Sequence, residues 1–314
     1  MHPTALLYSS HNRCEYLHRW WIVERALQDP FNKLVVYLPM SEAGSSGEFG
    51  TPQQFGWSKF EWYLNFFRKW GLEAYPFYWN DNLTYEDARA FFEMCASCQV
   101  LILGGGNSVT GLERYKGIGE WFFGDRGLFE RVLHGRAEEG KLTVGFSAGC
   151  DQLGAILHSQ TYTDLPDPHG FGLAHNVMTS LHHEDHRNEE LWYTASQFPH
   201  CMVFGLPNDS GLAVSQGFLP SGNIWQLIEF VTDNSWDLPQ DGFHIKTRQG
   251  QGIEHVYNDG KHWKFNGGDR MARVMSPDGV WQEAYIFNSQ GYCFHYWSQH
   301  PATFPSIDAV FASY

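Results

Sequence analysis

Hydrophobic and polar positions along the chain alternate between two rhythms. Short apolar runs bounded by turn residues, ALLYSS (5–10), KLVVYLPM (33–40), VLIL (100–103), KLTVGF (141–146), NVMTSL (176–181) and CMVFGLP (201–207), read as buried strands, and LEAYPFYW (72–79) reads as a further one. Between them apolar residues recur at helical spacing: CEYLHRWWIVERAL (14–27), SKFEWYLNFFRKWG (58–71), TYEDARAFFEMC (84–95), a stretch reaching about Glu139, SAGCDQLGAIL (147–157) and HRNEELWYTASQF (186–198). Thr84 stands where a helix N-cap belongs and Gly71 where a helix stops.

Strands alternating with helices over roughly the first 210 residues predict an α/β domain, a flavodoxin-like, mostly parallel sheet with helices on both faces. From about Asp241 the texture changes. HVYNDGKHWKF and VMSPDGVWQEAYIF each set a turn dipeptide, Asp259-Gly260 and Asp278-Gly279, between runs rich in Val, Tyr, Phe and Trp. The expected division is a main domain over 1–235 and a small antiparallel β extension over 236–314 packed on it.

The totals narrow the function. Across 314 residues, 43% hydrophobic and 18% charged, the chain has the composition of a soluble globular protein with a substantial core. The net charge of −14 comes with no Lys/Arg-rich run, which argues against nucleic-acid or acidic-membrane surfaces and suits a small, neutral-to-cationic substrate. MHPTALLYSS lacks a basic n-region and an apolar core, and no apolar run approaches the roughly 18 residues of a membrane span, so a cytoplasmic protein is expected. Six scattered cysteines do not make a disulfide framework. Cys95 and Cys98, in CASC, have no second CxxC, and packing is their expected role. Oligomeric state, a homo-oligomer included, is left open.

Two segments carry candidate chemistry. Gly145-Phe146-Ser147-Ala148-Gly149 matches G-x-S-x-G between a strand and a helix, the setting in which a strained turn exposes a serine hydroxyl and the next N–H faces a developing oxyanion. The competing reading is a tight turn with a capping serine. In LILGGGNSVTGL a strand ends in Gly104, Gly105, Gly106 and Asn107. A P-loop would need a Gly-Lys-Ser/Thr ending and a dinucleotide fingerprint would fall at the first βα turn, so a loop whose N–H groups, from Gly106 or Gly105, join that of Ala148 in an oxyanion hole fits better.

Together GGGN (104–107) and GFSAG (145–149) resemble the aspartyl dipeptidase (peptidase E) and cyanophycinase family of serine peptidases. Agreement is weaker over roughly 1–220 and does not extend to the tail. The resemblance implies a class I glutamine-amidotransferase-like fold, Ser147 as nucleophile, and a catalytic histidine ending a later strand. His182 takes that place, 35 residues after the serine, with His183 as runner-up where the family often has an aromatic. Where the family has a glutamate after the next strand, this chain reads Gly205-Leu206-Pro207-Asn208-Asp209. Asn208 takes the position and Asp209 follows one residue late, with Glu184 and Asp185 further candidates. The implied activity is hydrolysis of a short peptide or peptide-like amide, of dipeptide or β-aspartyl type, with no metal or organic cofactor. For an acidic residue a bidentate arginine is expected, from Arg114, Arg126 or Arg187.

Other readings share these residues. HHEDH sets His182 and His186 four apart, a spacing that two metal ligands on a helix would share. An α/β-hydrolase would order its triad serine, acid, histidine, with His244, His255, His262, His295 or His300 last. A non-catalytic or weakly catalytic binding protein of the same fold would use the aromatic tail as its interface.

Overall fold

A computed structural model describes residues 2–10, 18–42, 57–158, 167–208, 210–232, 252–256, 261–297 and 302–314. Five strands, β1 (Ala5–Tyr8), β2 (Leu34–Leu38), β3 (Glu73–Pro76), β4 (Val100–Leu103) and β5 (Leu142–Phe146), lie parallel in the order β1-β5-β4-β2-β3. β1, β4 and β5 are buried at every position, as strands covered on both faces must be, which is why they read as unbroken apolar runs.

Alternate residues feed two cores. Leu7, Val36, Leu101 and Leu103 point into one, under the helices α3 (Tyr85–Ser97), α4 (Ser108–Phe123) and α5 (Leu128–Glu138). There Phe129 stacks on Tyr115 at 4.3 Å between ring centres and on Phe91 at 5.6 Å. Leu6, Tyr8, Val35, Tyr37, Val144 and Phe146 face the other core. It is covered by a π-helical turn (His18–Val23) that runs into α1 (Glu24–Ala26), and by α2 (Trp57–Arg68). The α/β architecture with helices on both faces is thus the one expected.

The helix boundaries follow local chemistry. Thr84 and Asp87 form a reciprocal capping box at the start of α3, and Gly71, at φ +78°, closes the turn after α2. At the other end of α3 the fully buried Arg136 donates to the carbonyls of Cys95 and Cys98, both at 2.7 Å, and to that of Leu142 at 2.8 Å. The guanidinium satisfies terminal carbonyls that would otherwise be stranded in the core. Both thiols of CASC are buried, and burial pushes them up from the ordinary range, so their place is structural.

Beyond β5 the topology departs from simple alternation. α6 (Ala148–Leu153) stops early, because Gly154 turns extended and its N–H bonds back to Asp151. β6 (Val177–Leu181) and β7 (Met202–Leu206), joined by α7 (Asn188–Gln197), pair in parallel but leave the large sheet. They form a second sheet with β10 (Ile253–Val256) and β11 (His262–Phe265), in the order β11-β10-β7-β6. The chain then returns: β8 (Ser210–Phe218) runs antiparallel to β1, followed outward by β9 (Ile224–Thr232), β12 (Arg270–Met275), β13 (Gln282–Phe287) and β14 (Cys293–Trp297). The large sheet therefore has ten strands, and the β-rich tail is hydrogen-bonded into both sheets. Of the two turn dipeptides, Asp278-Gly279 joins β12 to β13 with Gly279 at φ +70°. Asp259-Gly260 lies outside the described residues, although β10 and β11 on either side pair antiparallel as expected. A short helix, α8 (Ile307–Phe311), packs Val310 and Phe311 against β12 and β13.

Candidate active site

Three strand ends of the large sheet meet where β1, β4 and β5 finish. At the end of β5 the backbone reverses at Ser147, whose φ of +49° and ψ of −116° lie where non-glycine residues rarely sit. Such a conformation costs on the order of 1–3 kcal/mol and persists only when its surroundings impose it. They do so here. The Ser147 N–H bonds to Tyr8 O at 3.0 Å, and its carbonyl accepts from Asp151 N at 3.1 Å, which starts α6. A Cβ on Gly145 would lie 2.3 Å from Gly149 O, and one on Gly149 would lie 2.3 Å from Leu103 O. The elbow is closed too tightly for either glycine to carry a side chain.

The triple-glycine loop after β4 lies against this elbow. A Cβ on Gly105 would come within 3.3 Å of the Ser147 Cβ and 3.8 Å of its Oγ. Gly106 has φ +131°, and a Cβ there would meet Ser41 O at 1.9 Å, so only glycine fits. Among the described residues no backbone acceptor occupies the N–H of Gly105, Gly106 or Ala148. Asn107 is otherwise employed: its N–H bonds to Ser41 O at 2.7 Å, and its side-chain oxygen caps α4 by accepting from Thr110 N at 2.9 Å.

The second sheet brings His182. This residue follows β6 with φ +52°, a second positive-φ residue at the same place, and its Nε2 lies 3.2 Å from Ser147 Oγ. On its other side Nδ1 makes a short hydrogen bond to Oδ1 of Asn208, two residues past β7. With Oδ1 as acceptor, Nδ1 carries the proton and the Nε2 lone pair is left for the serine hydroxyl. Burial holds the His182 pKa below the ordinary imidazole value; the Asn208 bond works against this, and the nearby Arg187 charge adds to it. The ring is therefore neutral near pH 7, the form in which it accepts a proton.

The other residues singled out from sequence fall elsewhere. His183 is buried on the far side of β6, its ring packed over Gly205 and its Nε2 2.8 Å from Asn188 Oδ1, so it does not reach the serine. Glu184 pairs with His186, and Asp185 with Lys264 at 3.5 Å, both away from the His182 ring. Asp209 lies outside the described residues. His186 is exposed, and among the described residues no three or more of His, Cys, Asp and Glu are grouped to hold a metal. Of the arginines, Arg126 is paired with Glu113 and Glu120 at the surface, and Arg114 donates to the carbonyls of Met40 and Glu42. Arg187 lies nearest. Its Nη1 donates to Leu181 O and His182 O at 3.0 and 3.3 Å, and its Nε and Nη2 grip Glu190.

A cavity of about 370 Å³ adjoins these groups, lined by Ser108, Asp151, His158, Thr179, Leu181, Arg187 and Glu190. Ser108 follows the glycine loop, Asp151 lies one turn after Ser147, and Leu181 precedes His182 in the chain, but Ser147, His182 and Asn208 are not themselves among the lining residues. Burial pushes His158 down to about 4, and it stands neutral in the wall.

Sequence reading overlooked Ser9, which is fully buried and bonded to the segments that carry His182 and Asn208. The only signal was a pair of serines closing an apolar strand, too common a pattern to single out.

The fold is similar to the crystal structure of a peptidase from an acI-B1 Actinobacterium, with a TM-score of 0.52 and 13% sequence identity over 87% of this chain and 96% of that chain. At that identity the likeness speaks for the fold. No protein-family model matches the chain, and no curated protein sequence matches it. Among the described residues no helix is long and apolar enough to cross a membrane.

Proposed function

We propose that the protein is a serine hydrolase of the peptidase or amidase type, acting in the cytoplasm on a short peptide or peptide-like amide of dipeptide or β-aspartyl type. The observation that carries this reading is the line from Ser147 Oγ through His182 Nε2 and Nδ1 to Asn208 Oδ1. Ser147 Oγ attacks the scissile carbonyl carbon while His182 Nε2 takes the hydroxyl proton. The carbonyl oxygen becomes an oxyanion, to which the N–H groups of Ala148 and of Gly106 or Gly105 donate. Collapse breaks the C–N bond, and His182 passes its proton to the leaving amine, which departs as the free amine. Water then attacks the Ser147 ester, again giving its proton to His182, and the acid product leaves with the serine hydroxyl restored.

A cavity whose wall includes Leu181 and Arg187, the one next to His182 in the chain and the other bonded to its carbonyl, stands at the low end of the roughly 300–1,000 Å³ of small-molecule sites, which suits a small substrate. Asn208 orients the imidazole as a carboxylate would but adds no negative charge, so the imidazolium formed during attack is stabilised less. No step calls for a cofactor.

Intact-mass analysis after treatment with a fluorophosphonate tests the reading. The wild-type protein is expected to gain one adduct, and Ser147→Ala none, with the circular dichroism spectrum unchanged. Folded wild-type protein that takes up no adduct would turn the assignment toward a binding protein built on the same fold.

A further inference from the structure

We infer that Ser9 is a positioning residue for the reaction, the hydroxyl that sets His182 and Asn208 against Ser147. The inference rests on the serine-hydrolase reading above and assigns a role to a residue that touches neither the substrate nor the reacting atoms.

Ser147 follows β5 of the ten-stranded sheet, whereas His182 follows β6 and Asn208 follows β7 of the four-stranded sheet. Among the described residues no ladder joins β6 or β7 to the large sheet, so strand pairing alone does not fix the separation of nucleophile and base. A hydroxyl-to-imidazole bond is sensitive to fractions of an ångström, and a loosely held base loses much of its effect.

Residues 8 and 9, at the end of β1, span this gap. Tyr8 O accepts from Ser147 N at 3.0 Å, which fixes the elbow. The next side chain, Ser9 Oγ, accepts from His182 N at 2.9 Å and donates to Leu206 O at 3.1 Å. Leu206 is the last residue of β7, two before Asn208. The Ser9 N–H bonds in turn to Ser210 O at 3.0 Å, just past Asn208. One dipeptide thus touches the segments that carry all three members of the relay, and one hydroxyl bridges the base and the residue that orients it.

Chemistry limits what can stand here. Ser9 is fully buried, so no solvent substitutes for its hydroxyl. The bridge needs one acceptor for the His182 N–H and one donor for the Leu206 carbonyl, which a hydroxyl supplies and a methyl group does not. His182 also holds φ +52°, a conformation the surroundings must impose, and the Ser9 bond acts on the amide of that same residue. Loss of the hydroxyl frees the peptide to relax and swings the ring away from Ser147.

The test is the kinetics of fluorophosphonate labelling at Ser147, separating the limiting rate from the half-saturating concentration, in wild type, Ser9→Ala and Ser9→Thr. The inference expects Ser9→Ala to fold and to bind the probe with unchanged half-saturation, while its limiting rate falls at least tenfold. Ser9→Thr, which keeps the hydroxyl, is expected to recover most of the rate. A purely structural role would move the unfolding midpoint and leave the limiting rate of the folded fraction unaltered. A folded Ser9→Ala within twofold of wild type overturns the inference, as does Ser9→Thr no faster than Ser9→Ala, in either case with the serine-hydrolase reading intact. A wild type that does not label at Ser147 overturns that reading, and the inference with it.

Discussion

Asn208 is the residue at which this relay differs most from one built on a carboxylate. Its oxygen selects the reactive tautomer of His182 but brings no charge; burial lowers the ring's pKa, the Asn208 bond opposes this in part, and Arg187 adds a smaller lowering. The imidazole pKa lies below the ordinary value of about 6.5, so the neutral base persists as the pH falls through that value. The rate of labelling at Ser147 is accordingly expected to decline at a more acid pH than the titration of a free imidazole would give. Asn208→Asp places a negative charge beside Nδ1, which favours the imidazolium. In that variant the acid limb of the pH–rate profile moves upward, and the plateau rate rises about tenfold, equivalent to about 1.4 kcal/mol of extra transition-state stabilisation. A profile that stays where it was would mean that the residue 208 side chain does not face His182.

At the scale of elements, the elbow depends on how closely β4, β5 and α6 approach one another. Gly149→Ala would press a methyl group into the Leu103 carbonyl and separate β4 from β5, moving the glycine loop away from Ser147. The expected loss is about 1–3 kcal/mol in urea unfolding, together with a fall in labelling of the folded protein. Wild-type behaviour on both counts would contradict the packing described here. The same closeness explains what sequence reading could reach. Glycines forced by contact and strands buried on both faces leave a local signature, so β1 to β5, α3 with its Thr84 cap, and the G-x-S-x-G turn were all legible. β6 and β7 were legible as strands but not as members of a second sheet, because an apolar run reports that a strand is buried, not which neighbour buries it. The β8–β9 hairpin was passed over, its alternation broken by Ser215, Gln216 and Gly217. His182 was singled out by its offset from the serine, and Asn208, with Asp209, by the place of a glutamate after the next strand, both of which a family resemblance supplies and hydrophobic pattern does not. Ser9 left no trace, since its role exists only once three distant segments have met.

The molecule as a whole buries histidines outside the relay. His255 is fully buried, stacked on Phe204 and held at 2.6 Å from the Tyr296 hydroxyl, and burial pushes it down to about 3. His158 in the cavity wall is pushed to about 4. Both pKa values are depressed in the folded state, so the unfolded chain binds more protons below about 6.5, and the associated stability is lost as the pH falls from there toward the folded values. The unfolding free energy from urea titration is expected to drop between pH 7.5 and pH 5 by an amount on the order of a few kcal/mol, with the midpoint falling accordingly, and His255→Leu should flatten that dependence. Equal midpoints at the two pH values would show that these rings titrate normally.

The partition of the relay between two sheets has a consequence for the order of synthesis. The ribosome delivers Ser147 with β5, well before β6 and β7 bring His182 and Asn208, and β10, the partner strand that shelters β7, comes later still. If Ser147 is the nucleophile proposed, a nascent chain holds it dormant until the second sheet assembles, and labelling at Ser147 during refolding is expected to begin when the two sheets dock.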